Sequence, residues 1–360
     1  IHILRRKLQG KGNRHMAKID EAELKAQIKN RQFSNVYFIY GEESYLKEHY
    51  VNKLTSAVVD PAFADFNYHR YDGKDISISD ILQDAETVPM MAEYSFILVR
   101  DYPFDKSVND CKEIKEFLKD VPDTCVLVFW YDSLAVDTKK NDKFKSLITA
   151  FAKAGSVAEL NKRTEGDIAR LIVASAKKRG CTIDSKNARY LISVVGSDLK
   201  TVFNETEKLC FYIGEGEIKK EHIDEIAVKS LQARVYDLSK FILAGNSDGA
   251  YGVLNALFAN KEEPVGILAV LSSCYIDMYR AKCAKSAGES ESDIAKYFNY
   301  KGREFLISNA ARNCRNISTE SLRESIDALS KTDEMLKSTS VDGKILLEEA
   351  VAKLFMLRNK

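Results

Sequence analysis

Five short runs of strand length, each followed by an amphipathic or polar stretch, constrain the first 160 residues more than any other feature of the chain. Val36–Tyr40, Tyr94–Arg100 and Thr124–Trp130 are almost continuously apolar, and Asn67–Tyr71 and Val157–Leu160 are of similar length. A strand that alternates apolar and polar residues has one wet face, whereas an unbroken apolar run is covered on both. Between the runs the period changes. Leu46, Tyr50, Val51 and Leu54 fall on one face of a helix over Leu46–Ala57, and Ile78, Ile81, Leu82 and Ala85 on one face of a helix over Ser77–Glu86. A further helix is predicted over Val108–Lys119, and a polar one, Ala22–Lys29, precedes the first strand. Such alternation predicts a mostly parallel sheet with helices on both sides.

The first of these strands runs into Gly41-Glu42-Glu43 and then a helix, which is where a nucleotide-binding α/β protein places its phosphate loop. The loop chemistry is missing. No G-x-x-x-x-G-K-[ST] is present, and two carboxylates stand where phosphates need donors and positive charge. The strand Cys125–Trp130 could carry the acidic pair that holds Mg²⁺, but it ends Tyr131-Asp132-Ser133. One carboxylate without the loop lysine cannot assemble a metal–phosphate site. Asp132 reads as a turn or cap residue and Gly41 as the turn after the strand. No nucleophile elbow or local Cys/His signature is present either. Paired carboxylates such as Glu42-Glu43 and Glu348-Glu349 read as solvated faces. No intrinsic catalytic site and no cofactor are expected.

Beyond Leu160 the pattern becomes helical. Helices are predicted over Glu165–Lys178, Ser185–Val194, Leu199–Tyr212 and Lys220–Val228, with Gly180, Gly196 and Gly214 as stops. From Val235 onward every periodic segment is again helical. Pro264 suits a first helical turn, and Ile267, Leu268, Leu271, Cys274, Tyr275 and Met278 follow it as a wide apolar stripe. Leu322, Ile326 and Leu329, then Ile345, Val351, Leu354 and Phe355, mark the last two helices. The expected division is an extension over 1–15, an α/β domain over 16–160, a small helical domain over 161–230 and a C-terminal helical domain over 231–360.

At 360 residues with a net charge of +1, the chain has no global bias toward nucleic acid or lipid. No apolar run reaches the roughly 18 residues a membrane span needs, so no membrane partner is expected. Seven cysteines without a C-x-x-C pair, and histidines at 2, 15, 49, 69 and 222, favour reduced cytosolic thiols and no metal site. The basic, aperiodic segment Ile1–His15 reads as an upstream extension, with a DNA-contacting arm as the alternative. Lys139-Lys140 with Lys143 and Lys145, and Lys177-Lys178-Arg179, lack interleaved aromatics and read as solvated faces.

The most unusual local feature is Val88-Pro89-Met90-Met91-Ala92, between a helix end and a strand. Two adjacent methionines cannot both face one amphipathic core. Either both are buried at a kinked helix end, or they protrude as flexible anchors for an apolar pocket on a partner. Spacing alone leaves both readings open.

In order along the chain, Tyr37-Phe38-Ile39-Tyr40-Gly41-Glu42-Glu43 with Leu46, Pro89-Met90-Met91 before Phe96–Val99, and Gly196-Ser197-Asp198-Leu199 with Asn204-Glu205 and Glu207-Lys208-Leu209 form a recognisable series. Val235-Tyr236-Asp237-Leu238, Glu262-Glu263-Pro264 with Ile267-Leu268 and Leu271, and Asp333-Glu334-Met335-Leu336-Lys337 complete it. This series resembles the delta subunits of bacterial DNA polymerase III clamp loaders from about Phe33 to Phe355. The resemblance implies an AAA+-like α/β domain without a working phosphate loop, a small helical domain and a helical collar domain. It implies a cytoplasmic, non-catalytic replication subunit of the polymerase holoenzyme that binds the sliding clamp (beta) and opens the ring for loading onto primed DNA. Its other partners would be the ATP-binding subunits (tau/gamma), delta-prime and primer-template DNA. The family's clamp-gripping hydrophobic pair falls on Met90 and Met91, with Pro89 beside them. Family members often carry aromatic residues there, and Lys337-Ser338-Thr339-Ser340 departs from a common Lys-Ser/Thr-Gly. An ATPase with a degenerate loop and a stand-alone DNA-binding protein are the competing readings.

Overall fold

The computed structural model describes residues 17–138, 141–300 and 303–358. The extension over 1–15 and the Lys139-Lys140 pair lie outside the described residues. Two compact units divide between Lys162 and Arg163.

In the first unit the chain order is β1 (Ala17–Ile19), α1 (Glu21–Asn30), β2 (Val36–Tyr40), α2 (Ser44–Val58), α3 (Ala64–Asn67), β3 (Tyr68–Asp72) and α4 (Ile78–Glu86). There follow β4 (Ser95–Arg100), α5 (Val108–Phe117), β5 (Cys125–Trp130), α6 (Asp142–Ala154) and β6 (Ser156–Glu159). The six strands form one sheet in the order β1-β6-β2-β5-β4-β3, and every neighbouring pair is parallel. The central strands β2 and β5 are buried at every residue, which is why their sequences are unbroken apolar runs. The edge strand β3, Tyr-His-Arg-Tyr-Asp, has no buried residue. Polar residues at an edge discourage pairing with other chains. Val36, Phe38, Ile97, Val99, Leu127 and Phe129 join Ile81 of α4 and Phe144, Leu147 and Phe151 of α6 in one apolar core. At about 1.5–3 kcal/mol for each large side chain removed from water, this core dominates the unit's stability.

Helix starts follow capping chemistry. Ser77 accepts from the Asp80 amide ahead of α4, and Ser107 from the Asp110 amide ahead of α5. Helix α6 is absent from the sequence reading, which treats Lys143 and Lys145 as a basic face. Beneath those lysines run Phe144, Leu147, Ile148 and Phe151, all buried.

The second unit contains α7 (Glu165–Lys178), β7 (Cys181–Thr182), α8 (Ser185–Val195), α9 (Leu199–Ile213), β8 (Gly216–Glu217) and α10 (Lys220–Ile226). It continues with α11 (Leu231–Ala244), α12 (Ser247–Ala259), α13 (Pro264–Ser286), α14 (Glu291–Tyr297), α15 (Phe305–Asn313), α16 (Thr319–Ser338) and α17 (Gly343–Leu357). The two-residue strands β7 and β8 pair in parallel within a stretch whose sequence reads as helical throughout. Gly196 and Gly214 end α8 and α9 with φ of 92° and 77°, the conformation that favours glycine at a helix stop. Pro264 opens α13, and Ile267, Leu268, Leu271, Tyr275 and Met278 pack with Leu322 and Leu329 of α16 and Val351 and Leu354 of α17. Ile345 departs from that pattern and is 56% exposed.

Candidate functional site

The carboxyl ends of the central strands are where an open parallel sheet offers a ligand crevice. Here the chain fills that position with its own groups. Gly41 leaves β2 at φ 130°, and a Cβ on it would lie 2.2 Å from the Leu160 carbonyl oxygen. The glycine is therefore required by a close approach to the segment after β6. The amides that would cradle a phosphate are already engaged. The Glu43 N–H donates to the Leu160 carbonyl at 2.9 Å, and the Glu42 N–H to Asn161 Oδ1 at 3.3 Å.

A buried lysine closes the other side. Lys47 of α2 is only 3% exposed, and its Nζ donates to the Tyr131 carbonyl at 2.5 Å and the Asp132 carbonyl at 3.4 Å. Burial lowers the Lys47 pKa, and Asp132, Asp101 and Glu43 partly offset that shift. Asp101, at the end of β4, completes the arrangement. Its carboxylate accepts from the amides of Asp132, Ser133 and Leu134 and from the Ser133 hydroxyl. Burial alone would raise the Asp101 pKa, but these donors outweigh it and hold the carboxyl below its ordinary range. Asp132 thus sits in a bend fixed by Asp101, and Gly41 in the turn after β2. The importance of Asp101 and Lys47 is invisible in sequence, because their partners lie 31 to 85 residues away.

The second candidate feature lies between α4 and β4. Helix α4 ends at Glu86, and the segment through Tyr94 has no regular structure. Met90 and Met91 are 55% and 79% exposed, which contradicts the reading that both are core. Pro89 beside them is half-buried. The knuckle is held by one side chain. Asn67, buried at the end of α3, accepts from the Met90 amide at 2.7 Å and donates to the Met90 carbonyl at 2.8 Å. The same Nδ2 donates to the Phe63 carbonyl at 3.0 Å.

Met91 then adopts φ 53°, a left-handed conformation that non-glycine residues rarely occupy. Such strain costs on the order of 1–3 kcal/mol and persists only where the surroundings impose it. Val88 and Phe66, the latter next to Asn67 in sequence, are also well exposed. Sequence reasoning misses Asn67, because nothing local ties it to a segment more than twenty residues away. An exposed apolar group on a fixed backbone is the chemistry of a protein-binding anchor. The variant Asn67→Ala is expected to speed hydrogen exchange of the Met90 amide about 5- to 150-fold, from the loss of roughly 1–3 kcal/mol of satisfied polar contacts. Exchange in β2 and β5 is expected to stay unchanged, as read by mass spectrometry.

Comparison with known proteins shows the family. Residues 37–160 match the family described as DNA polymerase III, delta subunit, and residues 232–354 match the DNA polymerase III delta subunit, C-terminal domain. The chain belongs to the DNA polymerase III delta subunit family. The first family match begins within β2 and ends at Leu160, so Gly41, Lys47, Met90, Met91 and Asp101 fall inside it and Asn161 just outside. DNA polymerase III subunit delta of Bacillus subtilis is 26% identical over 341 residues, which cover 92% of this chain and 96% of the relative. A probable DNA polymerase III subunit delta of Aquifex aeolicus is 23% identical over 312 residues, covering 82% and 86%. The fold is similar to that of the Bacillus subtilis DNA clamp loader delta protein, with a TM-score of 0.63, 24% identity, and coverage of 93% of this chain and 99% of the other.

Proposed function

We propose that this chain is the delta subunit of a DNA clamp loader, and that it grips the sliding clamp through Met90 and Met91 without hydrolysing ATP. The observation that carries the proposal is the pair of exposed thioether side chains on a backbone fixed by Asn67. A pre-fixed anchor loses little conformational freedom on binding, so more of its apolar burial appears as affinity. Val88, also exposed, precedes the pair in sequence, and the ring of Pro89 between them stiffens the backbone there. To open a ring, the subunit must bind the strained or open form more tightly than the closed one. Differential contact suffices for that, and no nucleotide is needed.

The filled crevice supports the non-hydrolysing part of the proposal. Two loop amides are spent on Leu160 and Asn161, and the one buried lysine there is turned onto backbone carbonyls. Equilibrium dialysis of the purified chain against ATP and Mg²⁺ is expected to show no retained nucleotide at millimolar concentration. Stoichiometric retention would favour the degenerate-ATPase reading instead. Partners of the assembled loader (the ATP-binding subunits tau/gamma, delta-prime and primer-template DNA) follow from the same proposal. Titration of the chain with its own sliding clamp tests the grip itself, and saturable binding is the expected result.

A further inference from the structure

The second unit carries a cleft of about 590 Å³ whose walls concentrate positive charge. Lys186 and Arg189 of α8, Lys220 of α10, Lys229 of the connection to α11, Lys240 of α11 and Arg312 of α15 all line it, and all are exposed. The balancing acids are few. Lys229 and Lys240 share Asp237, at 2.9 and 3.4 Å, and Lys220 pairs with Asp224 at 2.6 Å. Lys186, Arg189 and Arg312 have no carboxylate within ion-pair distance among the described residues. Arg312 instead donates to the Ser308 carbonyl and to Asn309 of its own helix. Glu165 also lines the cleft, and burial pushes its carboxyl above the ordinary range against the pull of Arg189. Glu304, whose carboxylate accepts from the Glu165 amide at 3.3 Å, is a fourth acid beside the cleft, so six cations against four carboxylates leave a local surplus of two, in a chain whose total is +1.

Two tyrosines lie among these cations. The Lys220 ammonium sits 4.9 Å over the Tyr190 ring and the Lys240 ammonium 4.7 Å over the Tyr236 ring. Both rings line the cleft. Among the described residues, Lys143, Lys145 and the Lys177-Lys178-Arg179 run have no such aromatic contact, and this difference separates a solvated face from a nucleic-acid surface. Among the described residues no glycine-rich loop of backbone amides lines the cleft, so its donors are long side chains from four helices and one connection. Such donors suit a flexible polyanion better than a single compact phosphate.

We propose that this cleft binds a single-stranded stretch of nucleic acid, its phosphates meeting the six cations and its bases stacking against Tyr190 and Tyr236. The site is independent of the methionine knuckle. Its test is fluorescence anisotropy of a labelled 20-nucleotide oligothymidylate, and of a 20-base-pair duplex, with the full chain between 50 and 200 mM salt. The wild type is expected to bind the single strand more tightly than the duplex, with affinity falling as salt rises. The triple variant K186E/R189E/R312E is expected to bind the single strand at least tenfold more weakly. Its log–log salt slope is expected to be shallower by about 2, at roughly 0.7 per lost phosphate contact. Met90→Ala with Met91→Ala should leave both values unchanged. If the reversals lower the melting temperature, K186Q/R189Q/R312Q provides the reading, with the same direction and a smaller effect. Undiminished binding and slope in the triple variant, no wild-type binding, or tighter binding of the duplex would overturn the proposal.

Discussion

Replacing Met90 and Met91 together with alanine is expected to weaken binding to the sliding clamp at least about 100-fold. Each thioether side chain that leaves water contributes roughly 1.5–3 kcal/mol, and every 1.4 kcal/mol is a factor of ten in affinity. Association costs reduce what the wild type realises from that burial, but both proteins pay them alike, so the difference survives. Because both side chains are exposed in the unbound chain, the thermal midpoint should shift by no more than a surface substitution allows, within about 0.5 kcal/mol. Surface plasmon resonance and calorimetric melting of the same preparations separate the two effects. Unchanged affinity would contradict the assigned grip, and a large loss of stability would show that the pair packs inward after all. Single variants should each lose part of the effect, and Met91→Ala also keeps the strained backbone that the surrounding structure imposes.

The second large effect concerns the crevice. Gly41→Ala is expected to destabilise the first unit by about 3 kcal/mol or more. Two terms act together. An alanine at φ 130° is strained by roughly 1–3 kcal/mol, and its Cβ would sit 2.2 Å from a backbone oxygen that cannot rotate away. Leu160 is held by its own amide, which donates to the Tyr40 carbonyl at 2.7 Å, so moving it would disturb the end of the β2–β6 pair. For a unit of this size the loss corresponds to a fall in melting temperature of roughly 6–12 °C. Differential scanning calorimetry reads it directly. A midpoint within 2 °C of wild type (the shift expected from about 0.5 kcal/mol) would mean that the β2–α2 turn is looser than its contacts indicate.

These two positions differ in how much of them could be read from the chain. The turn was legible, because an unbroken apolar strand followed by Gly-Glu-Glu and a helical stripe fixes the order of elements and excludes a phosphate loop. What fills the crevice was not legible. Lys47 and Asp101 become important only through contacts made across the parallel sheet. The methionines were conspicuous by their adjacency, yet period and spacing could not decide between core and surface. That decision rests on Asn67, which reaches across 23 residues to fix Met90. The long strands and most helices were legible because burial on both faces, or on one stripe, imposes a period. Strands β1, β7 and β8, two or three residues long, have no room to display one. Helix α6 does display one, in Phe144, Leu147, Ile148 and Phe151, but its lysines are the more visible feature.

The contact itself can be observed by labelling the methionine methyl groups with carbon-13 and adding the sliding clamp. The chain has six methionines, among them buried Met278 in the second unit and exposed Met356 near its end. Attenuation or shift of the Met90 and Met91 signals at stoichiometric clamp, with Met278 and Met356 unmoved, is the predicted result. Saturating clamp that leaves the Met90 and Met91 methyl signals where they were would contradict it.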